Sequence, residues 1–402
     1  MVKRTTDIII TLLVFNVFLI RPSALGQSLT PLAMIISAAL ATTYALSRKS
    51  EPVFHRQLIQ HAAMIAGALT AYYSYIFIIS LAFSNPTFID YSKEVISNLF
   101  LCLCYFLILS NKTLNNKFYD LLSVAVSMLG WSSIATYILI LFIPDSELII
   151  HTIEIKGYSN GDSDFETGVV LFPFTMVYGK FTPGDFYLLR VGGFFREAGI
   201  YQAISCFFLL YEFFHNKRVW LMIGLAIGTI LTFSTMGIAS LFLALAIIGY
   251  YSIKKQSLRA LVFIALAAIT IPTFIYAPYI GYAEKEKTHG ESFSERSHSM
   301  SNGIEATSNN PLGYGVEIFR TQNSGINMIA AMGSTGVPGF LLQAFILSGI
   351  SRQKSWHRVA IFFPILITAL FAQPLIGSPL IYILSMAALD TKTHPRRHIQ
   401  TN

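Results

Sequence analysis

Charge is unusually sparse in this sequence. Only 12% of its 402 residues are Asp, Glu, Lys or Arg, where soluble domains carry roughly 25%. Cysteine is scarcer still, at three residues. Cys102, Cys104 and Cys206 all fall inside apolar runs, so there is no disulfide framework and no paired zinc spacing. Each reads as a small apolar core residue. The chain also has no G-x-x-x-x-G-K-[ST] loop, no Gly-rich turn after a strand and no H-E-x-x-H, which removes the common soluble nucleotide and zinc sites. What is present is apolar: 54% hydrophobic residues and a mean hydropathy of +0.58. A disordered chain, a disulfide scaffold and an ordinary cytosolic enzyme are all excluded.

Apolar runs occupy 8–20, 29–46, 58–83, 95–110, 121–143, 198–214, 219–233, 237–252, 260–280, 325–350, 359–373 and 378–389. A helix needs about 20 residues to cross a bilayer. The expected fold class is therefore all-α: a polytopic membrane protein of about 12 transmembrane helices, forming a single membrane domain over 1–402. The first run, flanked by Lys3, Arg4 and Arg21, has the look of a signal peptide, and Ala24-Leu25-Gly26 offers a small-x-small site. Arg21 and Pro22 intervene, and a retained signal anchor is the expected form.

Basic residues collect in alternate connections. If the N-terminus is cytoplasmic, the inside segments hold 18 of the 28 Lys and Arg residues, as the positive-inside rule requires. Both termini are thus expected in the cytoplasm, and the net charge of +7 is a topology signal with no bearing on nucleic acid. Two outside connections are long, at 144–197 and 281–324, and loops above roughly 15 residues are uncommon unless functional or disordered. The first contains VVLFPFTMVY at 169–178, too short and too interrupted by proline to span. It could lie in the lipid interface or form the small core of a folded loop.

Nine histidines are scattered. His61, inside the third run, is the one that could be functional, because ionisable groups in spans are costly; its place near the cytoplasmic end weakens that case. The dense constellation is Arg190-Val-Gly-Gly-Phe-Phe-Arg196-Glu197-Ala-Gly199, where the first long loop enters the sixth span. Arginine presents a planar fork of donors that fits phosphate oxygens. Gly192 and Gly193 would let backbone N–H groups approach an anion, beside a helix start whose dipole favours negative charge. A purely structural alternative has both arginines anchoring the helix end. The second loop supplies Arg296, then Asn309-Asn310-Pro311-Leu312-Gly313-Tyr314-Gly315, then Arg320, Gln322 and Asn323, ahead of AMGSTGVPG at 331–339.

Together these pieces resemble the O-antigen polymerase and O-antigen ligase superfamily. The resemblance rests on R-x-x-G-F-x-x-E at 190–197, R-x(14)-P-x-G-x-G at 296–315 and the polar step into a G-x-x-G helix at 322–336. It also rests on large outer loops before the sixth and tenth of twelve spans. Departures exist. Ligases of this kind enter that helix with a His-Asn pair, whereas Gln322 and Asn323 stand here; Ser234-Thr235-Met236-Gly237 replaces a Ser-Arg turn; and Glu197 precedes alanine where polymerases often have proline. The missing histidine favours polymerase over ligase.

The resemblance implies a bacterial inner-membrane enzyme with a periplasmic active face, working in lipopolysaccharide or exopolysaccharide biosynthesis. It would transfer a growing glycan from undecaprenyl diphosphate to a lipid-linked repeat unit. Arg190, Arg196 and Glu197 are the expected catalytic residues, with Arg296, Arg320, Gln322 and Asn323 binding substrate. Glu197 would accept the hydroxyl proton or serve only as the partner of Arg196. No metal and no other cofactor is expected. Partners would be undecaprenyl-diphosphate-linked oligosaccharides, membrane lipids and a chain-length regulator, and no nucleic acid. The alternatives are a ligase to lipid A–core and a multi-span lipid-glycan flippase or transporter, which would place polar groups near the bilayer midplane.

Overall fold

The computed structural model describes residues 2–47, 56–83, 88–156, 165–181, 188–259, 290–315, 327–350, 356–373 and 377–387, with isolated positions between 261 and 268 and at 375. Five long helices come first: α1 (Val2–Val17), α2 (Gly26–Ser47), α3 (Arg56–Ala82), α4 (Phe88–Leu109) and α5 (Lys112–Ile140). After a sheet follow α6 (Ala198–His215), α7 (Val219–Ile230), α8 (Thr235–Ser252), α9 (Gly290–Asn309), α10 (Met332–Leu347), α11 (Trp356–Phe371) and α12 (Pro379–Met386). Five stretches are long and apolar enough to cross a membrane, in α2, α3, α4, α5 and α8, and shorter apolar helices accompany them. The chain is a polytopic membrane protein. The ninth apolar run, 260–280, lies almost wholly outside the described residues.

The all-α expectation needs correction. Between α5 and α6 the chain forms an antiparallel sheet of β1 (Ile149–Lys156), β2 (Phe165–Leu171), β3 (Thr175–Phe181) and β4 (Leu188–Val191), in sequence order. VVLFPFTMVY is the β2–β3 hairpin, with Val169 opposite Val177 and Leu171 opposite Thr175. Both faces of this small sheet are covered. Ile153, Val170 and Met176 pack with Ala24, while Leu148, Leu171, Val177 and Leu189 pack with Tyr137, Leu139 and Ile140 at the end of α5. Strands buried on two faces read as continuous apolar runs, which hides their alternation in the sequence.

The bundle core gathers α1, α3–α6 and α10–α12, with Tyr105, Phe118, Tyr201, Phe207, Phe362 and Tyr382 fully buried. Helix α5 crosses α7 backbone to backbone. A Cβ on Gly130 would run into the Gly224 carbonyl, and one on Gly224 would lie 2.5 Å from the Ser127 hydroxyl. Small residues four apart let membrane helices approach backbone to backbone, and Gly224 and Gly228 are such a pair.

At the end of the bundle away from the sheet, α6 and α7 are fastened to α5. Glu212 is fully buried and receives Arg218 through Nε (2.9 Å) and Nη2 (2.5 Å). Ser123 adds a third donor at 2.5 Å. Asp120 accepts from the Tyr211 hydroxyl (2.9 Å) and from Asn216 (2.6 Å). The same end holds Arg358, 1% exposed, whose Nη2 lies 2.6 Å from both His61 Nε2 and the Ser385 carbonyl. His61 is therefore a packing partner of Arg358 and of the end of α12. Cys102, Cys104 and Cys206 are free and buried, as their apolar setting indicates.

Candidate functional site

Arg190 is the third residue of β4, on the strand face opposite the buried Leu189 and Val191. Its strand is tied to the helices at two points. The Tyr137 hydroxyl of α5 donates to the Leu189 carbonyl, and the Val191 N–H donates to Leu231, just past α7, at 3.1 Å. The Arg190 guanidinium then lies over the turn between α7 and α8, with Nε 3.4 Å from the Thr232 carbonyl.

Three influences act on that guanidinium. Burial, followed by the positive charge of Arg296, pulls the Arg190 pKa below the usual arginine value, and the Glu197 carboxylate opposes them. Arg296 stands on α9, half-buried. Two arginines from the two long connections thus feel each other's charge, with one carboxylate beside them. Like charges held together in a partly desolvated place favour a ligand of opposite sign.

Arg196 and Glu197 follow a tight turn. Phe195 N–H returns to the Gly192 carbonyl at 3.1 Å, and Gly193 takes φ +57°, where a Cβ would meet the Tyr201 ring at 2.6 Å. The glycines therefore serve a different purpose from the anion contact expected of them. The Gly192 N–H is spent on the Met176 carbonyl at 2.9 Å, and Gly193 is needed so that the turn can sit on Tyr201. Arg196 is half-buried, and its N–H donates to Pro22 at 3.0 Å. Glu197 is the residue before α6, extended, and its carboxylate makes no capping hydrogen bond. The Ile200 and Tyr201 N–H groups close the first turn of α6 on the Glu197 backbone carbonyl, at 3.1 and 3.2 Å, and N–H groups ahead of them have no partner within the helix.

Sequence reasoning passed over three neighbours. Arg21 enters on the α1–α2 connection, which pairs Ser23 with Phe195 as an isolated bridge. Its guanidinium lies 3.4 Å from Glu94 of α4. Gln202, one turn into α6, is fully buried, and neither end of its amide has a hydrogen-bond partner among the described residues. Its oxygen lies where a side chain on Gly237 would fall. Gln373, beyond α11, crowds Gly199 in the same manner. The one sequence sign of Gln202 is an amide inside an otherwise apolar run. Arg21 had counted only as a flank of the first span.

The second long connection closes over the same end of the bundle. Tyr314 and Gly315 N–H groups donate to Gly333 and Ser334, both at 3.0 Å, and Val337 donates to Pro311 at 2.9 Å. Gly336, at φ 62°, breaks α10 at that contact. Arg320, Gln322 and Asn323 lie outside the described residues.

The family model described as O-antigen ligase, Wzy_C, matches residues 220–331. That interval runs from α7 through α9 to the start of α10; it contains Arg296 and begins after Arg190 and Arg196. No curated protein and no solved structure matches the chain. Residues 220–331 are thus similar to the Wzy_C family of O-antigen ligases and polymerases, whose members are membrane enzymes that transfer lipid-linked glycans.

Proposed function

We propose that the protein is a polysaccharide polymerase of the bacterial inner membrane, with the sheet end of the bundle in the periplasm. It transfers a growing O-antigen or related surface glycan from undecaprenyl diphosphate to the terminal sugar of a lipid-linked repeat unit. The observation that carries this reading is that the partly buried Arg190 feels the charges of both Arg296 and Glu197.

The reaction needs charge stabilisation above all. An acceptor hydroxyl attacks the anomeric carbon, the glycosidic oxygen departs with the lipid diphosphate, and negative charge grows on the phosphates. Preorganised donors aimed at that charge are often the largest catalytic term, one donor contributing roughly 3 kcal/mol. Arg190 and Arg296 hold the leaving diphosphate, and Arg196 with the first turn of α6 faces its outer oxygens. Glu197 takes the hydroxyl proton, its carboxylate free of any capping role. Arg320, Gln322 and Asn323 bind the acceptor on this reading.

Polymerase is preferred to ligase because Gln322-Asn323 stands where the ligases have His-Asn. The ligase is the second reading, favoured by the description of the matching family model. The surface-glycan length profile of a strain lacking the protein tests the choice. Loss of a polymerase leaves one repeat on the lipid core. A bare core identifies a ligase, and repeats trapped on the cytoplasmic side identify a flippase; either result overturns the proposal.

A further inference from the structure

The tip of the β2–β3 hairpin is Phe172-Pro173-Phe174, and both rings are turned outward, 54% and 62% exposed. Exposed aromatic rings at a loop tip are unusual unless something apolar covers them. Their height along α5 identifies the cover. The Phe172 carbonyl accepts from the Thr136 hydroxyl at 2.8 Å, and the Phe174 N–H donates to the Ser132 hydroxyl at 2.9 Å. Ser132 and Thr136 lie eight and four residues before Ile140, the last residue of α5. At 1.5 Å per residue the tip is therefore roughly 6–12 Å below the end of that helix.

The lower limit of the hydrocarbon layer along α5 is marked by Asp120, in its polar network with Arg218 and Asn216. The twenty residues from Asp120 to Ile140 cover roughly 30 Å, one hydrocarbon thickness. The tip consequently hangs inside the layer and not above it. Its surroundings continue the apolar belt: Ile138, Leu141, Phe142, Ile149 and Ile150 are all exposed.

Both N–H groups of the tip and the Phe172 carbonyl are also satisfied, as lipid demands. Backbone placed in hydrocarbon must have every polar group satisfied. Phe172 N–H donates to the Leu148 carbonyl at 2.8 Å, Pro173 has no N–H, and the Ser132 and Thr136 hydroxyls satisfy the Phe174 N–H and the Phe172 carbonyl. The two hydroxyls are themselves joined through Thr175, at 3.1 and 2.8 Å.

We infer that Phe172-Pro173-Phe174 is a membrane wedge, inserted beside α5 into the acyl region of the leaflet on the sheet side. The wedge fixes the height of the sheet, and thereby of β4 and Arg190. It does not depend on which glycan reaction the protein performs.

Spin labelling tests it. A nitroxide is placed by Phe174→Cys, and separately by Phe172→Cys, in the full chain with Cys102, Cys104 and Cys206 changed to alanine. The protein is reconstituted in phosphatidylethanolamine–phosphatidylglycerol nanodiscs, with labels at Ile138→Cys and Thr152→Cys as lipid and water references. At the wedge, collisions with oxygen should exceed those with a nickel chelate, as at Ile138, with the order reversed at Thr152. A water-like response at both tip positions overturns the inference. So does protection from both reagents, which would mean that a protein, a second copy included, covers the tip. Either outcome leaves the glycan-length experiment unaffected, so the two ideas fail separately.

Discussion

The two halves of the bundle solve the problem of crossing a membrane differently. Helices α2 to α5 have 22, 27, 22 and 29 residues, enough for a full crossing. In the other half α8, at 18 residues, also suffices, but α7 has 12 and α12 only 8. At 1.5 Å per residue α7 is roughly 18 Å long, well short of the layer. It starts level with the Asp120–Ser123 region of α5, held there by Arg218, Glu212 and Ser123. Its upper end must therefore stop below the surface. If the long apolar helices span the bilayer, the turn at 231–234 and the break at Gly336 are irregular backbone at membrane depth. Such backbone survives only where protein buries it or a polar cavity borders it. Long helices thus make the wall, and short ones make room for Arg190, Gln202 and Gln373.

If the short helices are set by their anchors, the anchor should show the largest effect. Glu212→Ala leaves Arg218 without its fork partner and Ser123 without its acceptor. Removing one member of a buried ion pair costs about 3–5 kcal/mol, and the partial exposure of Arg218, 31%, puts this case at the lower end. Thermal unfolding of the purified protein should show a loss of about 3 kcal/mol. An unchanged midpoint would mean that α7 is held elsewhere and the depth argument fails.

Next comes the residue that uses the depth. Arg190→Ala should slow glycan transfer about a hundredfold, roughly 3 kcal/mol in the barrier, with normal protein abundance in the membrane. Arg190→Lys keeps the charge and loses the fork, so chain length should return only in part. Full restoration by lysine, with reduced abundance for alanine, would identify Arg190 as a mere anchor of the sheet. A full-length glycan ladder from normally abundant Arg190→Ala protein would remove the residue from the site.

The sequence disclosed the wall better than the room. The run at 58–83 corresponds to Arg56–Ala82 and that at 198–214 to Ala198–His215, because lipid-facing and core-facing positions are both apolar. The run at 121–143 missed the first turns of α5, since Lys112 to Asp120 interleaves buried Leu114, Phe118 and Tyr119 with polar residues that pair with Asp7 and the α6–α7 connection. Arg190 and Arg296 were legible as arginines in long loops. Their meeting was not, because more than a hundred residues separate them. Nor was the service of Gly193, which depends on the Tyr201 ring beneath it. Arg358, one of the 18 basic residues counted to the inside segments, is buried against His61 and Ser385.

The smallest expected effects come from a pair of identical substitutions, one in each setting. A methyl on Gly67 of α3 would meet nothing within 4 Å. Gly67→Ala should be neutral or stabilising by about 0.5–1 kcal/mol, since glycine is the poorer helix former. A methyl on Gly130 of α5 meets the backbone of α7 at Gly224, and backbone cannot step aside as a flexible side chain does. Gly130→Ala should therefore destabilise by about 1–3 kcal/mol, the usual range for overpacking. Both are single-methyl changes in a membrane helix, so their difference reports the α5–α7 crossing with propensity cancelled. Unfolding midpoints of the two variants, measured in the same detergent, give that difference directly. Equal midpoints would mean that α7 does not sit in α5 at this level. The turn at 231–234 would then have no fixed depth, and Arg190 no fixed floor.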